Sequence, residues 1–309
     1  MTFNEATFER EYNSNWAGDV EAAFFSTEVF DRNRIINLPE YTPSGKNTPK
    51  IYYLLGVDVG RFNCTTEILV IKVMPSLTGV PIKKIVNIYT IDAEHFGQQA
   101  IRIKQIFQQY RCKVAVVDAN GLGTGLVDFL VTDQVDPQTG EVLYNWGVIN
   151  DDPDPKTGRR KYKNFETPDT IHNAMYLMRA NATLNSEMYS YCQTQMQHGK
   201  LKFLIDDSIA KNKLMSQSSG QKMSIEKRNE YLKPFVLTNV LREQLANLVD
   251  KSEGQTIILK PANAKIKHDK VSALIYGLYY CKLQEDKGKG RASRDLSAMT
   301  LFTKIGSKN

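Results

Sequence analysis

No stretch of this chain stays apolar for the roughly 18 residues that a membrane-spanning helix requires. The opening residues, MTFNEATFEREYN, have neither the basic start nor the apolar centre of a secretory signal. Those absences predict a cytoplasmic protein with no membrane partner. Cysteine is scarce as well: Cys64, Cys112, Cys192 and Cys281 lie far apart and form no CxxC pair, which speaks against structural zinc and against a disulfide framework. There is no GxxxxGK[ST] phosphate loop and no internal repeat. What the chain does have is 309 residues, 41% of them hydrophobic. That is ample for one large core with appended elements, or for two small domains.

Forty basic residues against thirty-four acidic ones leave a net charge of +6, a modest excess that neither demands nor excludes a nucleic-acid partner. The distribution says more than the sum. KTGRRKYK, from Lys156 to Lys163, is a dense basic cluster with an aromatic inside it, a second basic segment runs from Lys211 to Lys233, and a third follows Lys282. Any one of these could be a solvated face. Three of them favour a polyanionic partner.

The stretch that organises the rest is Ile51–Asp58, IYYLLGVD, an apolar run without polar alternation, as in a strand buried on both faces. It ends on a carboxylate. With Glu67–Met74 and Lys84–Asp92 it forms three strand candidates joined by short connections, hence an antiparallel meander. His95–Tyr110 has the spacing of a helix with one buried stripe. It leads to Lys113–Asp118, KVAVVD, a second apolar strand ending in a carboxylate. A strand, a helix and a strand in that order require a crossover, which places KVAVVD parallel to the first strand and beside it. Asp58 and Asp118 would then share the carboxyl edge of one sheet, where open α/β sheets bind their ligands. Asn120, Gly121, Gly123 and Gly125 follow, before the helical GLVDFL.

Further along, Val142–Ile149 is expected as a strand in a hairpin whose far arm is KTGRRKYK. Thr170–Ala180 and Ser186–Gln197 are expected as helices, Leu201–Ile205 as a short strand, Phe235–Val249 as a helix and Thr256–Ala262 as a last strand. HDKVSALIYGLYYCKL keeps helical spacing, with Asp269 at its start. The expected division is an N-terminal arm and linker over 1–50, one main α/β domain over 51–285 and a flexible basic tail over 286–309.

Asp58, Asp118 and Asp269 each have a bland explanation as turn or helix-cap residues. Gathered together they would repel one another and raise each other's pKa unless divalent cations sit between them. Hard oxygen ligands select Mg²⁺ or Mn²⁺, and two such ions form a clamp for phosphodiester hydrolysis. In that arrangement Asp58 bridges, Asp118 serves one ion and Asp269 the other. Lys265, Lys267 and His268 stand beside Asp269, the lysines able to steady a phosphate and the histidine to relay a proton. Arg159, Arg160, Lys161 and Lys163 are candidates for DNA phosphate contacts.

The layout resembles the ribonuclease-H-like fold, an α/β mixed sheet in which an antiparallel meander is followed by parallel strands, flanked by helices. GVDVGR, VVDANGLGTGLVDFL and HDKVSALIYG together are similar to the C-terminal nuclease domain of tailed-phage terminase large subunits, and EREYNSNWAGDVEAAFF resembles the segment that joins that family's ATPase to its nuclease. The resemblance implies a metal-dependent endonuclease acting on double-stranded viral DNA during genome packaging, with Asp58, Asp118 and Asp269 as metal-binding acids and Asp128 as a further acid near the second motif. It also implies a P-loop ATPase domain or subunit, a small terminase subunit and a portal as partners, in the host cytoplasm and transiently at the procapsid. The missing P-loop departs from the family's full-length pattern, so ATP-driven translocation is not assigned to these residues.

Other readings share part of this pattern. A resolvase or transposase would use the same acids on another substrate. An actin-like or sugar-kinase-like nucleotide-binding protein also carries D-x-G after its first strand, but it needs the meander duplicated. A DNA-binding scaffold would keep the basic clusters and use the acids structurally.

Overall fold

Strand β2, Tyr52–Asp58, is buried almost throughout, because alternate residues feed two separate cores. Leu54 joins a cluster with Val271, Leu274 and Leu278. Tyr53, Leu55 and Val57 join another with Phe96, Ile103 and Leu126 on the opposite face. Both faces are covered by helices, so the run carries no polar residue until its end. The computed structural model describes residues 23–60, 64–92, 95–121 and 123–305, with side chains described as far as residue 289.

Around β2 the expected mixed sheet is present. Strands β3 (Thr66–Met74) and β4 (Ile82–Ile91) complete an antiparallel meander. Helix α2 (Phe96–Gln109) then crosses over to β5 (Val114–Asp118), which lies beside β2 in parallel register, Val57 opposite Val117. Helix α3 (Gly123–Leu130) follows, then a small hairpin of β6 (Gln134–Val135) and β7 (Val142–Leu143), then β8 (Trp146–Val148) and β9 (Ile171–Met178). Helix α4 (Ala182–Gln197) leads to β10 (Leu201–Leu204). With β1 (Arg34–Ile36), the eight strands of the sheet run β1-β10-β4-β3-β2-β5-β9-β8. All pairings of that sheet outside the meander are parallel. Among the described residues that meander occurs once, without the duplication an actin-like protein needs.

The rest of the chain is mainly helical: α5 (Asp207–Met215), α6 (Ser218–Gln221) and α7 (Ile225–Ala246), then a hairpin of β11 (Leu248–Asp250) and β12 (Leu259–Pro261), and finally α8 (Asp269–Ile305). Among the described residues no helix is long and apolar enough to cross a membrane.

Four expectations are corrected. Thr170–Ala180 forms strand β9 instead of a helix: its apolar residues suit either period, and the open slot beside β5, filled with Ala115 opposite Met175, decides for strand. The expected hairpin between Val142–Ile149 and KTGRRKYK does not form, because β8 pairs with β9 and the basic segment is loop. Residues 23–50 are built into the domain: α1 (Thr27–Arg32) buries Phe30 in a stack on Phe203 at 4.0 Å, β1 extends the sheet, and the Glu40 carbonyl accepts from Asn87 Nδ2 at 3.0 Å. Of EREYNSNWAGDVEAAFF, residues 9–22 lie outside the described residues. The 286–309 segment, expected as a flexible tail, continues α8 to Ile305. Its charges are spaced for a helix, with Lys282 and Asp286 paired at 2.8 Å one turn apart.

Candidate active site

The period of two that sorts β2 into its cores also aims its terminal carboxylate. Leu54, Gly56 and Asp58 share the face covered by α8. On β5, Val114 and Val116 lie in that same core, which puts Asp118 on the same face. On β3, Leu69, Ile71 and Val73 do likewise and bring Glu67 with them, directly across from Asp58 in the ladder. Three adjacent strands therefore carry carboxylates on one face of one edge.

Asp269 reaches that face because α8 crosses β2 unusually closely. A Cβ on Gly56 would lie 2.0 Å from the Ala273 carbonyl oxygen, and one on Gly277 would lie 2.5 Å from Ile71 Cδ1. Only glycine allows helix and strand to approach so far. The crossing sits two residues before Asp58 and one helical turn after Asp269, so both acids are delivered to the same place.

The electrostatics reflect their proximity. Burial pushes the Asp58 carboxyl well above the usual carboxylate range, and the charges of Asp269, Asp118 and Glu67 push it further. Asp118 is raised as well, by burial, although the Asn120 backbone N–H donates to its Oδ1 at 2.9 Å and opposes the shift. On α8, burial raises the Tyr276 phenol, with Asp118 and Asp58 adding to the effect. Asp58 thus senses the other acids, yet among the described residues no three His, Cys, Asp or Glu side chains stand grouped as a metal site.

Other predicted residues fall around this cluster. His268 and Lys265 are exposed at the approach to α8, as is Lys267, and Asp128 is exposed on α3. The loop bearing KTGRRKYK leaves the sheet after β8, on the same carboxyl edge as Asp118. Its own acids hold it: the Asp151 carboxylate accepts from the backbone N–H groups of Lys161 at 3.1 Å and Tyr162 at 2.9 Å, and Asp154 closes a turn with Lys156 and Thr157. Arg160 pairs with Glu166 at 2.9 Å and Asp151 at 3.5 Å. Arg159, Lys161 and Lys163 are exposed.

Sequence reasoning alone missed Glu67, Lys270 and Tyr276. Glu67 heads a two-residue alternation, TEILVIKV, that is enough to place it on one face. Its meeting with Asp58 depends on hairpin register, which that pattern leaves open.

A ribonuclease-H-like mixed sheet with carboxylates gathered on its carboxyl edge is the class that fold and site define. No family model matches the chain, and no curated protein matches it. The solved structures it is similar to include large-terminase nucleases of phages. The large terminase nuclease of thermophilic phage G20c, with magnesium bound, is 15% identical, with 84% of this chain and 98% of that chain covered and a TM-score of 0.44. The large terminase nuclease domain of Thermus phage P74-26 is 12% identical over 80% and 92%, with a TM-score of 0.41. The large terminase of bacteriophage HK97 is 10% identical, with a TM-score of 0.43, and the match covers 82% of this chain but 43% of that one.

Proposed function

We propose that this protein is a metal-dependent endonuclease that hydrolyses phosphodiester bonds of viral DNA, as the nuclease part of a terminase large subunit. The observation that carries the reading is the Asp58 carboxyl, half-buried at the sheet edge and pushed up by burial and by the like charges of Asp269 and Asp118, with Glu67 beyond them already paired to Lys270. Such a cluster is costly unless a cation joins it. Its donors are carboxylate oxygens, which suit a hard ion such as Mg²⁺ or Mn²⁺. Asp58, Asp118 and Asp269 would hold two such ions, drawing together from the positions they now take. Bound there, the ions supply the charge that activates water and steadies the leaving oxygen. Asp58, which feels the charges of both others, would be the shared ligand, and the helix crossing at Gly56 brings the start of α8 to its edge. Lys265 and Lys267, exposed beside Asp269, offer cations to the DNA backbone, as do Arg159, Lys161 and Lys163 on the neighbouring loop. An ATPase domain or subunit, a small terminase subunit and a portal are the partners this reading entails.

The test is cleavage of supercoiled plasmid with Mn²⁺ or Mg²⁺ present. Asp58→Asn is expected to lower the rate by about 10³-fold or more, with circular dichroism and DNA binding unchanged. Cleavage at the parental rate by that variant would sink the proposal.

A further inference from the structure

Between two of the proposed ligands lies a charge pair that the chemistry above does not use. Lys270 follows Asp269 in the chain, and Glu67 is the ladder partner of Asp58. Lys270 Nζ stands 2.8 Å from Glu67 Oε1, and the two side chains retain only 5% and 2% exposure. Glu67 is held from other sides too: Thr65 Oγ1 donates to its Oε1 at 2.9 Å and Thr90 Oγ1 to its Oε2 at 2.8 Å. The backbone N–H of Lys270 donates to Gln244 Oε1 at 2.9 Å. At this one residue the first turn of α8 is therefore tied to both α7 and β3.

Burying such a pair gains little net stability, because desolvation offsets most of the attraction, and two apolar side chains would fill the same space as well. What an ion pair adds is a fixed geometry. A carboxylate already committed to an ammonium and two hydroxyls is also poorly placed to ligate a metal. We propose that the Glu67–Lys270 pair is a positioning device for the acid cluster: it fixes Asp269 relative to Asp58 and keeps Glu67 out of the ligand set. Neither residue is catalytic. The inference rests on the nuclease reading and adds to it the means by which the last helix is aligned.

The experiment is calorimetric titration of the full chain with Mn²⁺, alongside cleavage measured as a function of Mn²⁺ concentration. Glu67→Gln combined with Lys270→Met removes both charges and leaves neither one buried alone. Expected are a metal-free melting temperature close to the parent's, a loss of Mn²⁺ affinity of about 10–100-fold, as is usual for groups behind metal ligands, and cleavage that recovers to within a few-fold at saturating Mn²⁺. Unchanged Mn²⁺ affinity would overturn the proposal. So would binding that no Mn²⁺ concentration restores, which would mark Glu67 as a ligand. Thr90→Val, which keeps both charges and removes one bond to Glu67, should weaken Mn²⁺ binding in the same direction by less, and it decides the matter where the double variant fails to fold. Asp58→Asn in the same titration separates the two claims: Mn²⁺ binding equal to the parent's there removes the nuclease reading itself, and this inference with it.

Discussion

Glu40 and Glu285 at the amino edge of the central sheet and Asp58 at its carboxyl edge, all partly buried, are treated in opposite ways. At the amino edge Glu40 and Glu285 each meet a cation. Lys72 Nζ lies 2.9 Å from Glu40 Oε1, and Lys83 pairs with Glu285 while donating to Gln195 Oε1 at 2.9 Å. Burial pushes the Glu40 carboxyl up, but bonds from Tyr53 and Lys72 outweigh it and leave the group below its ordinary value. At the carboxyl edge burial acts on Asp58 in the same direction, and its neighbours are further acids that compound the shift. Carboxylates on the same sheet are thus used in two ways. Charge fixes the fold at the amino edge and again in the Glu67–Lys270 pair, whereas Asp58 holds charge in a state that a bound cation would relieve.

The largest effect expected from breaking this contrast is at the amino edge. Lys83 is fully buried, and Lys83→Met would leave Glu285, itself largely buried, without its cation. Removing one partner of such a pair typically costs about 3–5 kcal/mol, which denaturant unfolding would measure. Cleavage per folded molecule should stay at the parental level. A variant that kept its stability and lost cleavage would show that the edges are not divided in this way.

A smaller effect of opposite sign is expected at the carboxyl edge. Asp118→Asn should abolish cleavage and, without metal, raise the melting temperature at neutral pH. Both Asp58 and Asp118 have folded-state values raised above their unfolded ones. Their contribution to stability is therefore full below the unfolded value, near about 4, and is lost as pH rises through the raised folded value. The advantage of Asp118→Asn should be greatest at neutrality and shrink on acidification, by about 2–4 °C for each kcal/mol of charge-burial cost relieved. A metal-free melting temperature below the parent's at pH 7 would make Asp118 a structural acid like Glu40.

How much of this is legible in the sequence follows from the range of each interaction. IYYLLGVD and KVAVVD are legible because a doubly covered strand needs an unbroken apolar run, and their parallel pairing follows from the intervening helix. The place of Asp269 is legible only as the start of a helix. What delivers it is the contact of Gly56 with Ala273 and Gly277, residues too distant in sequence for any local pattern to join. The Glu67–Lys270 pair is hidden for the same reason. Strand β9 reads as a helix because its apolar residues fit both periods, and only the vacancy beside β5 decides between them. The basic segment reads as a hairpin arm when its charges alone are weighed, and the acids that fold it into a loop, Asp151 and Asp154, lie just ahead of it.

That loop is a third case, in which cations meet acids of their own segment, and it yields the smallest expected effect. Arg160 belongs with the amino edge in kind: paired with Glu166 and Asp151, it holds the loop closed. Arg159 is exposed one residue away, where a phosphate can reach it. If the loop lies along the DNA path, Arg159→Ala should weaken binding about equally for all sequences and reduce the slope of log affinity against log salt by about 1, the share of a single neutralised phosphate. Arg160→Ala should instead lower the melting temperature slightly, because it leaves Asp151 and Glu166 without their shared partner. Equal salt slopes for the parent and Arg159→Ala would remove this loop from the DNA-binding surface. The exposed Lys265 and Lys267, ahead of Asp269 in the chain, would then be the next candidates, and the same measurement on Lys265→Ala would decide whether they hold the backbone there.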